Sequence, residues 1–395
     1  MINTEKNILL ITNNIDRYSA NTQMEKVICW LESEDNISTV NIRKLFNREK
    51  SIFDLLISEI KRIKPKIIIF IDGPPIIELS LEELKVIRKF SYIAVFFGDI
   101  FAHFNSSYKY FCQSIDCALV DESVELGRFK LYGVDAIFVP YAYDVPPLEK
   151  YQFNNFRKDI DVSFIGRQDR VGRREYISFL KDKCDISLYG VGTVNGPVSD
   201  TEMDKIFRRS KINLNFTGVQ VDQPFSHAEE IDLTVRSAKG RCQEVALRGG
   251  FVMTEVAPEI DILFNLGKEV EFFDNKSELI EKIDYYLEHE DIANEIAWNG
   301  YIRAHENYRV EVVWSRTIKS LLERAHNKSY KILQKENRVI SGKEYQISYA
   351  RNLFAYLRTL KRKKEFRVIF RIISNIGFLT VLEKLTILIK TKFKK

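Results

Sequence analysis

Residues 240–255 have the sequence Gly240-Arg-Cys-Gln-Glu-Val-Ala-Leu-Arg-Gly-Gly-Phe-Val-Met-Thr-Glu255, which predicts a short helix, a closing double glycine and a buried strand. Arg241 and Glu244 are three residues apart, so their side chains share one face of that helix. A guanidinium group can fork onto phosphate oxygens, and a carboxylate can accept hydrogen bonds from sugar hydroxyls. The alternative is an ordinary exposed ion pair worth about 0.3–0.5 kcal/mol. The glycines and the strand favour a site for a nucleoside diphosphate.

Short apolar runs alternate with amphipathic stretches on both sides of this segment. The runs Ile67-Ile-Ile-Phe-Ile-Asp72 and Tyr92-Ile-Ala-Val-Phe-Phe97 are apolar on both faces, which is typical of parallel strands covered by helices on each side. The rhythm restarts after Pro146-Pro147. Right-handed crossovers then predict an α/β fold with two doubly wound, Rossmann-like domains that face a cleft. We predict domains over residues 1–147 and 148–327, followed by a basic helical tail over 328–395.

Composition and cysteine content indicate the class of protein and its cellular compartment. An apolar content of 45% with 29% charged residues is typical of a soluble globular protein. Five cysteines without a Cys-x-x-Cys pair, and no signal peptide, predict the cytoplasm.

The tail differs in charge from the rest of the chain. Residues 341–395 contain 14 Lys or Arg against 3 Asp or Glu, a net charge of +11, whereas the whole chain has +5. The apolar run over 372–382 is too short to span a bilayer, which needs about 20 apolar residues. The tail therefore predicts an amphipathic helix on an anionic membrane surface, at the inner face of the membrane. Its Ile, Leu and Phe content fits nucleic acid less well, so we expect no nucleic-acid partner.

Several motifs come in the order seen in GT-B glycosyltransferases. They are Phe164-Ile-Gly166, Arg173-Arg174, Leu188-Tyr-Gly190-Val-Gly192, Arg241-x-x-Glu244 with Gly249-Gly250, and Thr254-Glu255. Residues of about 155–320 resemble the group-1 type, and among these the spore-maturation-protein-like branch. The resemblance implies that the C-terminal domain binds a nucleotide diphosphate sugar, and that the N-terminal domain binds a glycan, lipid-linked or protein acceptor. GT-B members usually work without a metal, so we expect neither metal nor cofactor.

The resemblance also implies roles for individual residues. It assigns the ribose hydroxyls to Glu244 and the diphosphate to Arg241, with Arg173 or Arg174 facing the pyrophosphate. Further donor contacts are expected from residues at strand ends and in polar loops: Gly166, Arg167, Tyr189, Gly190, His227, Lys239, Thr254 and Glu255. Each has a plainer alternative, such as a tight turn for Gly166 or a solvated side chain for Lys239.

One position departs from the pattern of the family. Retaining GT-B enzymes often carry a carboxylate eight residues before the second acid, and that position is Arg236 here. The sugar-contacting part of the motif and the stereochemical outcome therefore stay open. If the enzyme inverts, its base is expected from the N-terminal half, where Asp99 and His103 follow an apolar strand. Histidine titrates near neutrality, which suits proton removal from a sugar hydroxyl, although a lone histidine is more often structural.

The sequence thus predicts a glycosyltransferase of the hexosyltransferase type. A nucleotide-sugar epimerase on the same two-domain frame is one alternative, and product analysis with the donor alone separates the two. A non-catalytic GT-B-like binding module is another, and the absence of an acid at Arg236 supports it. Fold-level likeness does not decide between these activities.

Overall fold

The computed structural model describes residues 7–12, 23–42, 51–71, 79–98, 100, 104, 108–168, 172–218, 236–238 and 240–327. In the tail it describes positions 350, 354, 357, 361, 366, 373, 381–386 and 389. Four residues with predicted site roles lie outside the described residues: Asp99, His103, His227 and Lys239.

The first sheet is parallel and is covered by helices on both faces. Its strands, in the order β2-β1-β3-β4-β5-β6, have the bounds β1 Ile8–Thr12, β2 Ile37–Asn41, β3 Ile67–Ile71, β4 Tyr92–Phe97, β5 Cys117–Val120 and β6 Asp135–Phe138. All five residues of β3 are fully buried. Successive side chains point to opposite faces, so Ile68 and Phe70 join one apolar cluster and Ile67 and Ile69 the other.

The helices of the first half follow from capping residues and apolar spacing. Their bounds are α1 Gln23–Ser33, α2 Ile52–Ile63, α3 Leu81–Ile87, α4 Lys109–Phe111 and α5 Leu126–Leu131. Helix α2 begins where Ser51 accepts a hydrogen bond from the backbone N–H of Asp54, and its residues Leu56 and Ile60 bury one face four positions apart. Helix α2 packs on the face of Ile68, and α1 packs on the opposite face.

The second sheet repeats this arrangement with five parallel strands. In the order β11-β10-β9-β7-β8 they have the bounds β7 Ile160–Ile165, β8 Ile186–Tyr189, β9 Ser210–Asn215, β10 Val252–Glu255 and β11 Glu271–Phe273. The helices that follow are α6 Lys150–Asn154, α7 Arg173–Lys181, α8 Asp200–Arg209, α9 Arg241–Leu247, α10 Ile260–Leu263, α11 Lys276–Glu288, α12 Glu290–Asn307 and α13 Val310–Asn327. Strand order reverses between β7 and β9, and ligands of such sheets bind outside the carboxyl ends of the strands at this point.

Two parallel sheets with helices on their faces confirm the predicted α/β fold. We call the first sheet with its covering helices the first lobe, and the second sheet with its helices the second lobe. Helix α13 follows the second sheet in the chain but packs on the first, where Trp314, Val313 and Leu321 are buried beside Ile8 and Ile67. The predicted domain bounds stay a prediction.

The two lobes are joined by two chain segments that run side by side. The backbone N–H of Tyr143 donates to the carbonyl of Tyr308 at 3.0 Å, and that of Val310 donates to the carbonyl of Tyr143 at 3.3 Å. These bonds form a parallel bridge between Tyr143 and Arg309. The first connection between the lobes is therefore held directly against the second.

In the described part of the tail, one helical stripe is exposed and apolar. Leu382, Leu385 and Ile389 have exposed fractions of 42%, 40% and 47%, whereas Val381 and Lys384 are buried. Among the described residues, no helix is both long enough and apolar enough to cross a bilayer.

Candidate functional site

Helix α9 begins against the segment that connects the two lobes. The hydroxyl of Tyr143 donates to the carbonyl of Gly240 at 2.9 Å. A Cβ atom at Gly240 would lie 2.4 Å from this hydroxyl and 2.6 Å from Cγ of Tyr141, so only glycine fits. Burial raises the pKa of Tyr143 well above its usual value, which keeps the hydroxyl protonated as a donor. The first turn of α9 is thus fixed at the boundary between the lobes.

The predicted pair Arg241 and Glu244 lies on one face of α9, as its spacing requires. Nη1 of Arg241 donates to Oε2 of Glu244. The side chain of Arg241 is 25% exposed and that of Glu244 is 11% exposed, so neither points into open solvent. The pair is therefore half-buried at the start of the helix rather than a surface ion pair.

A second arginine, Arg248, contacts Glu244 from the buried side, opposite the more exposed Arg241. Its Nη1 lies 3.5 Å from Oε1 of Glu244 and donates to the carbonyl of the same residue at 3.1 Å. Its Nε forms an ion pair with Asp204 of α8. Arg241, Glu244, Arg248 and Asp204 therefore form a row of alternating charge between α9 and α8. Arg248 has no role in the prediction from sequence, although it follows Glu244 by four residues, a spacing that places two side chains on one face of a helix.

The aromatic ring of Phe207 forms the apolar floor beneath this row. The guanidinium carbon of Arg241 lies 5.6 Å from the centre of the ring, and that of Arg248 lies 6.0 Å from it. Such cation–π contacts favour a guanidinium that lies over the ring. Phe207 thus limits how both arginines can be placed.

The predicted glycines at the ends of β7 and β8 pack against each other. The backbone N–H of Gly166 donates to the carbonyl of Tyr189 at 2.8 Å. Gly190 has φ of +119°, and a Cβ atom there would lie 2.6 Å from the carbonyl oxygen of Gly166. Both the conformation and the close approach require glycine at position 190. The structure gives these glycines a packing reason, and their contact with a ligand stays a prediction.

Arg173 spans the crevice between the ends of β7 and β9. Its Nη1 donates to the carbonyl of Arg167 at 2.8 Å, and its Nη2 donates to the carbonyl of Phe216 at 3.3 Å. Its guanidinium carbon lies 5.1 Å from the ring centre of Phe164. These contacts hold together the loops at the point where strand order reverses. The neighbouring Arg174 and Arg167 are exposed there. The phosphate contacts predicted for these arginines stay predictions.

Thr254 and Glu255 bind the ends of neighbouring strands to each other. Oε2 of Glu255 accepts from the backbone N–H and the hydroxyl of Thr217 at 2.9 and 3.1 Å. The side-chain amide of Asn215 donates to the hydroxyl of Thr254 at 2.9 Å. Arg236 lies 3.4 Å from the other oxygen of Glu255. Arg236, which stands where retaining enzymes have an acid, therefore belongs to this ionic cluster, and the donor role of Thr254 and Glu255 stays a prediction.

Two buried glutamates cross the boundary between the lobes in opposite directions. Glu259 of the second lobe accepts from the backbone N–H of Val124 at 3.1 Å and from the hydroxyl of Ser123 at 3.3 Å, both in the first lobe. Glu122 of the first lobe accepts from the hydroxyl of Ser237 in the second lobe at 2.7 Å. The exposed fractions of the two glutamates are 3% and 1%. These bonds hold the carboxyl end of β5 against the loops that follow β9 and β10.

Carboxylates crowd at this boundary. Burial raises the pKa of Glu125 to about 7, an effect that Arg128 opposes and the carboxylates of Glu122, Glu259 and Asp121 increase. Burial also raises the pKa of Glu259. Within the part of the chain that the structure describes, no group of three or more His, Cys, Asp or Glu is arranged to hold a metal.

Comparisons with known proteins bear on this arrangement. Residues 167–319 match a protein-family model described as glycosyl transferase-like. HepE from Anabaena, solved in complex with UDP, matches with a TM-score of 0.53 and 12% identity over 80% of this chain and 99% of that chain. A glycosyltransferase from Rickettsia africae matches with a TM-score of 0.51 and 14% identity over 80% and 97% of the two chains.

Sucrose-phosphate synthase from Thermosynechococcus elongatus matches with a TM-score of 0.52 and 10% identity over 81% and 99% of the two chains. The fold is that of the GT-B glycosyltransferases. At identities of this size the likeness shows the fold alone. The comparison with curated proteins gave no match.

The GT-B fold was predicted from the order of motifs in the second half, and it is confirmed. The group-1 type is supported as well, while the spore-maturation-protein-like branch stays a prediction. The matched family segment contains β8 to β11 and helices α7 to α12, and hence Arg241 and Glu244.

On the GT-B fold, the described site residues form two groups. Arg241 and Glu244 lie on α9 and contact Arg248, the residue directly after that helix, beside Tyr143 of the connection between the lobes. The other described site residues lie at the carboxyl ends of β7, β8 and β10 or at the start of α7: Gly166, Arg167, Arg173, Arg174, Tyr189, Gly190, Thr254 and Glu255. The two buried glutamates that bridge the lobes were missed in the sequence, where the only signal was an acidic pair, Asp121-Glu122, directly after β5.

Proposed function

We propose that the protein is a glycosyltransferase that moves a sugar from a nucleoside-diphosphate sugar to an acceptor. The observation that carries this proposal is the half-buried Arg241–Glu244 pair, which lies at the boundary between the lobes of a GT-B fold. The match of residues 167–319 to glycosyl transferase-like proteins supports it. A similar solved structure contains UDP, which makes a nucleoside diphosphate a reasonable first ligand to test.

In this proposal the second lobe holds the donor. Arg241 stabilises the negative charge that grows on the leaving diphosphate, as an oxyanion hole does for an oxyanion. Glu244 accepts hydrogen bonds from the ribose hydroxyls. The remaining predicted donor contacts are Gly166, Arg167, Arg173, Arg174, Tyr189, Gly190, His227, Lys239, Thr254 and Glu255.

The first lobe binds the acceptor, a glycan, a lipid-linked molecule or a protein, in this proposal. Closing the lobes excludes water that would hydrolyse the donor. Asp99 and His103 remain the candidates for the base that removes the proton from the acceptor hydroxyl. We propose a hexosyl group as the sugar that is transferred.

A binding screen tests the function. We expect one of UDP, GDP, CDP, ADP and TDP to bind in calorimetry or to raise the unfolding temperature, because ligands that bind only the folded state stabilise it. The corresponding sugar nucleotide should then donate its sugar to an acceptor. Failure to bind any of the five at millimolar concentration would favour a non-catalytic module. An epimerised sugar nucleotide, formed from donor alone, would favour an epimerase.

We propose that the tail holds the enzyme at an anionic membrane on the cytoplasmic side. The exposed Leu382, Leu385 and Ile389 form an apolar stripe at spacings of three and four residues, and residues 341–395 of the tail carry a net charge of +11. An apolar stripe among basic residues suits the interface of an anionic bilayer, where each base near the surface contributes about 1 kcal/mol.

Deletion of residues 358–395 should release the protein from vesicles that contain anionic lipid, as measured by co-sedimentation. Leu382→Asp combined with Leu385→Asp should weaken the same binding by about tenfold or more, since both substitutions put charge on the apolar stripe. Vesicles of zwitterionic lipid serve as the control and should bind weakly in every case. Unchanged binding of the truncated protein to anionic vesicles would contradict this role for the tail.

A further inference from the structure

We propose that Arg248 is a positioning residue that holds Glu244 ready for the ribose when Arg241 turns to the diphosphate. The inference rests on the proposed function and concerns the same site. It assigns the two oxygens of Glu244 to different partners. Oε1 faces Arg248 at 3.5 Å, and Oε2 accepts from Arg241.

The burial of Arg248 shows that its charge is built into the protein. Only 4% of its side chain is exposed. A buried guanidinium is costly unless it is paired and hydrogen-bonded, and Arg248 meets this cost through Asp204, the carbonyl of Glu244 and the carboxylate of Glu244. An apolar residue at the end of α9 could fill the same space without any ion pair. The arginine adds a fixed positive charge on the inner side of Glu244.

Arg241 is placed differently. Its side chain is 25% exposed, and Nη1 is shared between Glu244 and the sulfur of Met203 at 3.3 Å. A thioether sulfur is a weak acceptor, so the ion pair with Glu244 is the main contact that this guanidinium exchanges for a phosphate. The move leaves Oε2 of Glu244 without its arginine. Because Arg248 still holds Oε1, the carboxylate keeps its position and offers Oε2 to a ribose hydroxyl.

Asp204 fixes the inner arginine in turn. It lies on α8, one turn before Phe207, whose ring lies 6.0 Å from the guanidinium carbon of Arg248. The ring of Tyr143 lies 5.8 Å from the same carbon. Arg248 therefore has an ion pair and two aromatic neighbours that restrict its movement, which a positioning residue requires.

The test compares UDP with 2′-deoxy-UDP, because the ratio of their affinities reports the contact to the ribose hydroxyl. We expect the wild-type protein to prefer UDP by about tenfold or more, the effect of one hydrogen bond to a charged group. Arg248→Met should reduce the preference to about twofold, while the affinity for 2′-deoxy-UDP stays within about twofold of wild type. A purely structural role would instead lower the unfolding temperature and weaken both ligands equally.

Two further variants keep the test decisive. Arg208→Met is the matched control, since Arg208 lies on α8 and does not contact Glu244 in the part of the chain that the structure describes. It donates to the backbone carbonyl of Arg248 at 3.2 Å and lies 5.3 Å from the ring centre of Phe156. Arg208→Met should leave the preference for UDP unchanged. Asp204→Asn removes the ion pair that holds Arg248 and should reduce part of the preference for UDP over 2′-deoxy-UDP. If Arg248→Met does not fold, this variant tests the positioning role in its place.

Each contrary outcome has one meaning. A wild-type preference that survives in both Arg248→Met and Asp204→Asn overturns the positioning role of Arg248 and leaves the proposed function intact. Equal affinity of the wild-type protein for both ligands removes the contact of Glu244 with the 2′-hydroxyl and overturns the inference with it. If the screen finds a nucleoside diphosphate other than UDP, the same comparison is made with that nucleotide and its 2′-deoxy form. Failure of the wild-type protein to bind any of the five nucleoside diphosphates counts against the proposed function itself, and the inference then falls as well.

Discussion

Arg241→Met is expected to lower the rate of sugar transfer by about 10²- to 10³-fold, the usual loss when one donor to a developing negative charge is removed. Arg241 is the half-exposed cation at the start of α9, where the row of charges meets the boundary between the lobes. Charge develops on the diphosphate only as the bond to the sugar breaks. The loss should therefore appear mainly in kcat, with a smaller change in KM.

Methionine is the suitable replacement for Arg241. Its unbranched side chain can keep the apolar contact with Phe207, which lies 5.6 Å from the guanidinium carbon. Glu244 keeps Arg248 as a partner, so the protein should remain folded with an unfolding temperature within a few degrees of wild type.

The control for this substitution is Arg62→Met on the outer surface of the first lobe. The side chain of Arg62 is 68% exposed and pairs only with Glu59 among the contacts described, so its loss should leave turnover unchanged. Turnover is measured as the release of nucleoside diphosphate from the sugar nucleotide that binds in the screen. An Arg241→Met protein that retains more than about a third of the wild-type kcat would show that the diphosphate is stabilised elsewhere.

The fold could be predicted where buried strands have continuous apolar runs in the sequence. Strands β3 and β4 are buried on both faces, so their apolar runs predict them to within one residue. Strand β2, Ile37–Asn41, lies at the edge of the first sheet and is only partly buried, and its short mixed sequence does not predict a strand. An edge strand has a neighbouring strand on one side only and is less buried, so its apolar pattern is weaker.

The placement of α13 could not be predicted from local pattern. Its apolar face, with Trp314 and Leu321, shows that it packs against something, but not against which sheet. The contact with the first sheet joins residues as far apart in the chain as Ile8 and Trp314. Such a contact depends on how two connections run side by side at Tyr143 and Arg309.

The same distinction applies to the candidate site. Arg241 and Glu244 are three residues apart on one helix, so the sequence was enough to place them together. Glu259 contacts Ser123 across 136 residues, and it does so from a left-handed backbone conformation with φ of +85°. Neither the conformation nor the partner is encoded in the residues beside Glu259. The contacts between the lobes therefore could not be predicted from the sequence, whereas the pair on α9 could.

Glu244→Gln is expected to weaken the binding of the nucleoside diphosphate by about 10- to 100-fold, since hydrogen bonds to a charged acceptor contribute about 1.5–3 kcal/mol. The ribose hydroxyls lose a carboxylate whose Oε1 faces Arg248 and whose Oε2 is released when Arg241 turns to the diphosphate. Glutamine has nearly the same volume, so packing on α9 is preserved. Binding is measured by calorimetry at constant salt.

The stability of this variant separates a binding role from a packing role. Asp204 continues to neutralise Arg248, and Arg241 can reach solvent, so no buried cation is left alone. The unfolding temperature should therefore stay within a few degrees of wild type. Glu290→Gln is the control, because Glu290 is 44% exposed and pairs with Lys211 at 3.0 Å, and it should alter neither quantity. A large loss of stability with unchanged affinity would assign Glu244 to packing, and the ribose would then have to be held by another residue of the second lobe.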